Sequence, residues 1–408
     1  MHDVSLKQVH GKIDFLYRQV TAFARDRENY LHLCFEDQDP YFATDIQTIL
    51  VNWPVKKRRG TIPLLHMATV HKYSQFVVAS TVDYDPAVDP RDLQEAMEKC
   101  GDFEINRSMR RHARLWSYKE YSQSLARQMP PGHSIDDLAV GGELKLPGHG
   151  TRVRGDAFQY AHMMLVKKLI GQQFNVANYC LDAESGLAAA ICALNVDLVK
   201  SERVNVFEIR FVKGLTNDER LSYVNEGRRM FRYMEAGYRS LIPLVQEKYP
   251  ELTDMQAGMA IHLNNMFESK TSKERIQAFN REGVMWPFHT KAEPLKIVRW
   301  ATLADRMRWV DLGQMLSLAS LHPVDSYFNF ARRRIAGFER GIPTASNQQR
   351  IWHAYSYYNP EMVPKMAAIL RFYYNYMLAP PENDNQTPAM RLGLTKGKIY
   401  SRDLLSYN

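Results

Sequence analysis

Apolar positions along this chain recur at two periods, and each change of period marks a change of element. From residue 4 to about 30, Val9, Ile13, Leu16, Val20 and Phe23 return every three or four positions, the spacing of one helical face. Residues 41 to 85 instead carry short apolar runs: "YFATDIQTILVNWP", "IPLLHMATV" and "SQFVVASTVDYDP". The basic turn "VKKRRG" separates the first two and Pro86 ends the last, so an antiparallel meander is expected. The periods then alternate. "GDAFQYAHMMLVKKLI" has a helical stripe, and "NVANYCLDAESGL" is a strand with Asp182 just past its apolar core. "GLAAAICAL" restarts a helix, and "VNVFEIRFVK" (204–213) is a further strand. Strands, helix, strand, helix, strand is the order of a mixed α/β sheet.

Other stretches fill in around that sheet. Residues 90 to 130 read as helical and polar, and 129–152, rich in Gly and Pro, as a loop. Residues 215 to 310 read as mostly helical and interrupt the alternation. "VDSYFNFARRRIAGFER" (324–340) predicts a helix, and "NPEMVPKMAAILRFYYNYML" another, begun by Asn359 and Pro360. "VSLKQVHGKIDF" has the look of the last helix of a helix-turn-helix whose remainder would lie upstream of Met1. The expected divisions are an N-terminal helical region at 1–38, the first part of a core at 39–214, a helical insertion at 215–310, a last core helix with C-terminal helices at 311–380, and a basic tail at 381–408.

Composition narrows the class. In 408 residues, 45% are hydrophobic and 24% charged, as in ordinary globular proteins. No apolar run reaches the roughly 18 residues of a membrane span, and "MHDVSLKQVHGK" has no secretory apolar segment. A cytoplasmic protein, away from any membrane, is expected. Cys34, Cys100, Cys180 and Cys192 form no CxxC pair, which argues against a zinc ribbon and for buried free thiols in a reducing compartment.

Net charge is +8 and the isoelectric point about 9.1, which suits an anionic partner such as nucleic acid. The charge is clustered in "KKRRG" (56–60), "RSMRRHAR" (107–114), "RVRG" (152–155) and "ARRRI" (331–335). Candidate phosphate contacts are Lys56, Lys57, Arg58, Arg59, Arg110, Arg111, Arg114, Arg152, Arg154 and Arg333.

Three acids stand out by position. Asp45 lies in the apolar first strand, where an unpaired charge is costly. Asp182 ends the strand before "AESGL", and Asp325 opens the "SYFNFARRRI" helix. Each has an ordinary reading: a strand-edge residue, a helix N-cap, a first-turn acid complementing the helix dipole. A mixed sheet could also bring the three together. Clustered carboxylates take up protons unless a cation such as Mg²⁺ neutralises them, and two such ions serve phosphoryl transfer. His289 and Glu293, four apart in "WPFHTKAEP", would need a helix to share a metal; the two prolines make this a structural loop.

The segments "KIDFLYRQVTAFARDRE" (12–28), "ATDIQTILVNWP" (43–54), "YCLDAESGL" (179–187), "FARRRIAGFERGIPTAS" (330–346), "YYNPEMVPKMAAILRFYYNY" (357–376) and "TPAMRLGL" (387–394) resemble the DDE transposases of bacterial insertion sequences, which have an RNase H-like catalytic core of the retroviral integrase superfamily. In that family the first Asp is on the first strand and the second follows the fourth strand, before a small-residue helix. The third carboxylate is on a late helix, with a basic residue seven positions on. The resemblance therefore assigns Asp45, Asp182 and Asp325 as metal ligands. Arg332 lies seven after Asp325, on the same helical face, whereas Glu339 plus seven is Ser346. Asp325 stands where the family usually has Glu, which leaves a D-D-D variant, Glu339 as the alternative third acid, or a decayed site. The family commonly carries an insertion where 215–310 lies. The resemblance implies an RNase H-like mixed sheet with flanking helices, two Mg²⁺ or Mn²⁺ ions, and double-stranded DNA as partner. It further implies a homodimer or higher oligomer on DNA, in a bacterial cytoplasm at the nucleoid. The implied activity is cleavage at element ends followed by strand transfer; the other options are a decayed transposase that only binds DNA, or a structure-specific nuclease on the same fold.

Overall fold

Adjacent side chains on the central strands are equally hidden: Phe42 and Ala43 are 0% and 1% exposed, and Val206 and Phe207 are both at 0%. Successive strand residues point to opposite faces, so both faces of this sheet must be covered. The computed structural model describes residues 5–52, 61–117, 119–120, 123, 150–183, 186–287, 289–303, 308–340, 355–380 and 384–407. Its main sheet has seven strands: β1 (Tyr41–Asn52), β2 (Thr61–His71), β3 (Val77–Val82), β4 (Ala177–Asp182), β5 (Val204–Arg210), β6 (Val284–Met285) and β7 (Ile297–Trp300). They are ordered β3-β2-β1-β4-β5-β7-β6. β1, β2 and β3 form the expected antiparallel meander. β4 runs parallel to β1 and β5 parallel to β4, with crossovers through helices. β7 and β6 close the far edge antiparallel.

The helices that matter are α1 (Leu6–Glu28), α2 (Gly155–Ile170), α3 (Leu187–Leu194), α4 (Asn217–Tyr238), α5 (Leu241–Lys248), α6 (Asp254–Phe267), α7 (Trp309–Leu318), α8 (His322–Arg334) and α9 (Met362–Phe372). Ala43, Ile49, Val51, Cys180, Phe207 and Ile209 meet α6, α7 and α8 on one face. Phe42, Tyr179, Leu181, Val204 and Val206 meet α1, α2 and α3 on the other. The result is helices on both sides of a mixed α/β sheet. No described helix is long and apolar enough to cross a membrane.

Three expectations about organisation change. First, 215–310 is mostly helical as expected but does not simply interrupt the sheet. α4, α5 and α6 are there, α4 and α6 each opened by a Thr capping box, but β6 and β7 lie within the same range and extend the sheet. Four residues, "IVRW", are too short to show a period, and Arg299 disguises them. Its charge is met by Glu208 on β5, with Nε to Oε2 at 2.6 Å. Second, the helix expected from residue 90 ends at Lys99. Gly101, at φ 73°, turns the chain, and short turns follow through the basic stretch. Third, the N-terminal region and the basic tail are parts of the same core. Phe23 of α1 packs edge-on against Phe372 and Tyr376, and Ala389 and Leu404 are buried in the same cluster.

The sheet carries buried polar groups tied to one another. His162 of α2 bridges Thr69 and Thr81 at 2.8 and 2.7 Å, and Thr69 also meets Thr44 at 2.8 Å. His66 lies between Gln47 and Ser80 at 2.8 and 2.7 Å, and His71 faces Ser74 at 2.8 Å. Burial holds all three imidazoles neutral, with pKa values pushed down to about 3, 4 and 3 for His66, His71 and His162. The unfolded chain takes up protons that the folded one refuses, so this stability is complete above pH 6.5 and is lost as pH falls toward 3. Each histidine should remove up to about 1.4 kcal/mol per pH unit below 6.5. We expect the denaturant midpoint to drop steeply between pH 6.5 and 5; a flat profile there would contradict neutral burial.

Candidate functional site

Strand parity decides which polar side chains share a surface. Asp45 and Gln47 have the parity of Ala43 and point to the face under α8; Asp182 has the parity of Cys180 and points the same way. The parallel register pairs Thr44 with Leu181, so Asp45 and Asp182 sit on the next rung. α8 crosses this face and brings Asp325 from its first turn. Asp45, Asp182 and Asp325 line one cleft of about 780 Å³, together with Lys213, Arg220 and Arg332. They are spread along it: among the described residues, these three acids do not form a cluster with all ligand atoms within 4.8 Å of one another.

Burial pushes Asp45 up to about 7, the charges of Asp182 and Asp325 push the same way, and the Ile46 N–H, 2.7 Å from Asp45 Oδ1, opposes them. Asp325 is raised too, by burial and then by Glu293 and Asp182. Lys213 donates to Asp182 Oδ2 at 2.7 Å. Partial burial works against its charge, but the three aspartates outweigh it and raise the ammonium's pKa. Asp182 is no N-cap: its Oδ1 accepts the Ala183 N–H at 2.9 Å, and α3 begins only after Gly186. Gly186 has φ 108°, and a Cβ there would meet Gln159 Oε1 at 2.1 Å.

Arg332 is two helical turns after Asp325 and is fixed from the sheet. It donates to Gln47 Oε1 at 3.0 Å. Gln47 must then use its amide N–H toward His66 Nδ1, which leaves the imidazole proton on Nε2, facing Ser80. The bond from Arg332 to Gln47 thus selects one tautomer and one amide orientation beneath it. Glu339 lies past the end of α8, exposed, and does not line the cleft.

The start of α8 is set by residues that the sequence does not advertise. Glu293 is only 3% exposed. Its Oε1 accepts the Leu321 N–H at 2.7 Å and the Ser320 hydroxyl at 2.8 Å, while Oε2 faces Lys296 Nζ at 3.1 Å. Lys296 donates to Ala319 O at 2.8 Å, and Lys72 to Leu318 O. This clamp orients the turn from which Asp325 projects. The described residues of "WPFHTKAEP" form a loop, as expected, yet its Glu is structural. Lys213 and Arg220 also escaped notice; the only signal for Lys213 was that it continues the parity of Ile209 and Phe211 beyond β5.

The basic residues divide. Arg111, Arg114 and Arg333 are exposed. Arg152 is buried against Asp83, Nε to Oδ2 at 2.9 Å. Arg110 donates to Glu120 at 3.1 Å, and Arg154 pairs with the same carboxylate while stacking on Trp116 at 4.5 Å. These three are internal contacts and not part of a free phosphate track: the spacing of charges does not tell which are neutralised by distant acids. Lys56, Lys57, Arg58 and Arg59 lie outside the described residues.

No family model, no curated protein and no solved structure matches this chain. Removing one partner of a buried pair leaves the other uncompensated, at a cost of about 3–5 kcal/mol. Glu293→Ala should therefore lower stability by about that amount, read as a shift in denaturant midpoint; an unchanged midpoint would dismiss the clamp.

Proposed function

We propose that this chain is a DDE-type DNA transposase on an RNase H-like core. The observation that carries the reading is the gathering of Asp45, Asp182 and Asp325 in one cleft with Arg332 seven positions after Asp325. It is supported by a strand order of three antiparallel strands followed by two parallel ones, with the acids on the first strand, at the end of the fourth and on a late helix. An all-carboxylate donor set suits Mg²⁺ or Mn²⁺. Asp45, Asp182 and Asp325 would hold two ions. Ions about 4 Å apart do not require all ligand atoms to be mutually close. When bound, the metals supply activation of the attacking oxygen and stabilisation of the leaving one.

The residues' own tasks follow from their places. Asp45, on a rigid strand, fixes the centre of the site. Arg332, braced by Gln47, meets the non-bridging oxygens of the phosphate being cut. Lys213 holds the Asp182 carboxylate in place by its ion pair. Water attacks phosphorus at the element end and frees a 3′-OH, and that hydroxyl then attacks a target phosphodiester in the same cleft. Paired ends call for at least a dimer. A second reading, a DNA-binding protein without catalysis, is favoured by one contact: the Lys213 ammonium already neutralises Asp182.

The test is strand cleavage of end-containing DNA with Mg²⁺ or Mn²⁺. Wild type should nick it, Asp182→Ala should lose cleavage entirely, and Arg332→Ala should slow it about 10²–10³-fold. Equal cleavage by wild type and Asp182→Ala would overturn the mechanism, and DNA binding without any cleavage would favour the second reading. Arg111→Ala and Arg114→Ala should each weaken DNA binding and reduce the salt slope by about one, measured by titration at several salt concentrations. Unchanged slopes would remove these two from the interface.

A further inference from the structure

Outside the cleft, one cluster of metal-binding side chains closes the loop that follows helix Pro90–Lys99. Among the described residues, Cys100, Asp102 and His112 are the group whose possible ligand atoms all lie within 4.8 Å of one another. Cys100 Sγ is 3.8 Å from His112 Nδ1, and Nδ1 is 3.0 Å from Asp102 Oδ2. Two donors on one tetrahedral zinc, at 2.0–2.3 Å from it, are separated by about 3.5 Å, so these spacings bracket what an ion needs.

The backbone is arranged for this meeting. The left-handed Gly101, φ 73°, sets Cys100 and Asp102 on either side of a sharp turn. Asp102 is 1% exposed and pins the far end of the loop, accepting the Arg111 N–H at 2.8 Å and the His112 N–H at 3.0 Å. Cys100 contradicts the expectation of buried thiols: it is exposed, and besides His112 its Sγ makes a weak contact of 3.5 Å to Met97 O. Thiolate, imidazole and carboxylate form a mixed S, N, O set that suits a borderline-soft dication and leaves a fourth position for water. One thiolate and one carboxylate also balance a 2+ ion exactly in charge.

We propose that Cys100, Asp102 and His112 form a zinc site that staples the two ends of the 100–112 loop and so fixes its basic side chains. Binding exchanges the Cys100 thiol proton for the metal and releases it to solvent. His112 coordinates through Nδ1 with its proton on Nε2, and Asp102 turns Oδ2 to the ion while Oδ1 keeps the Arg111 N–H. The loop carries Arg107 and Arg111, both exposed, with Arg114 just beyond. A staple would hold them in one arrangement. This inference does not depend on the reading of the aspartate cleft.

The experiment is a Co²⁺ titration of the chelator-treated full chain, followed by Zn²⁺. Wild type should develop a thiolate-to-cobalt charge-transfer band that saturates at one equivalent and disappears as Zn²⁺ displaces Co²⁺. Co²⁺ held by the aspartate cleft has no thiolate ligand and gives no such band. Cys100→Ser should abolish the band, His112→Ala should weaken Co²⁺ affinity at least tenfold, and Cys192→Ser should leave both intact. Zn²⁺ should raise the melting temperature of wild type more than that of Cys100→Ser. No thiolate band in wild type, or an equal band in Cys100→Ser, overturns the proposal.

Discussion

The parallel pairing of β1 with β4 sets two carboxylates side by side on one rung of a buried sheet, and much of the surrounding structure answers that repulsion. Two like charges so placed cannot both stay ionised without help. Lys213 reaches in from beyond β5 to Asp182, and burial, with the other two acids adding to it, pushes Asp45 up to about 7. α8 then adds a third acid and a guanidinium to the same face. The helix is held there from both ends, by the Glu293–Lys296 clamp at its start and by Arg332 on Gln47 farther along. A site of this kind is costly to the fold, and the cost is localised where charge can later be used.

The strongly periodic parts of this architecture were legible in the sequence. α1, the meander, α2, β4, α3 and β5 all follow from apolar spacing, because each buries enough residues to leave a repeat. β6 and β7 did not, since four residues or fewer carry no period and their partners lie far away in the chain. The three acids could be singled out because a charge inside or just past an apolar run is conspicuous. Glu293 could not. Its importance depends on reaching Leu321 and Ser320, and no local pattern encodes that contact. The N-cap reading of Asp182 failed for a related reason: the chain takes extra residues and a left-handed Gly186 before α3 begins.

Charge counting was the least informative guide. A net charge of +8 suggests a long basic track, yet Arg152, Arg154 and Arg110 turn inward to Asp83 and Glu120. Their guanidiniums order the segment around Trp116. Only what remains exposed, such as Arg111, Arg114 and Arg333, contributes to the outer field. Basic clusters in a folded chain are therefore to be read together with the acids that reach them.

The closure of α1 on the C-terminal helices has a consequence for synthesis. Glu28 bonds to Arg371 at 2.7 Å across 343 residues of sequence, and Phe23 packs on Phe372 and Tyr376. During translation α1 is made long before these partners leave the ribosome, at about 5–20 residues per second. For that interval of some tens of seconds its apolar stripe has no native cover. The nascent chain is thus exposed to chaperone capture until the last segments emerge, and a prematurely terminated product would carry a sticky helix with nothing to close it.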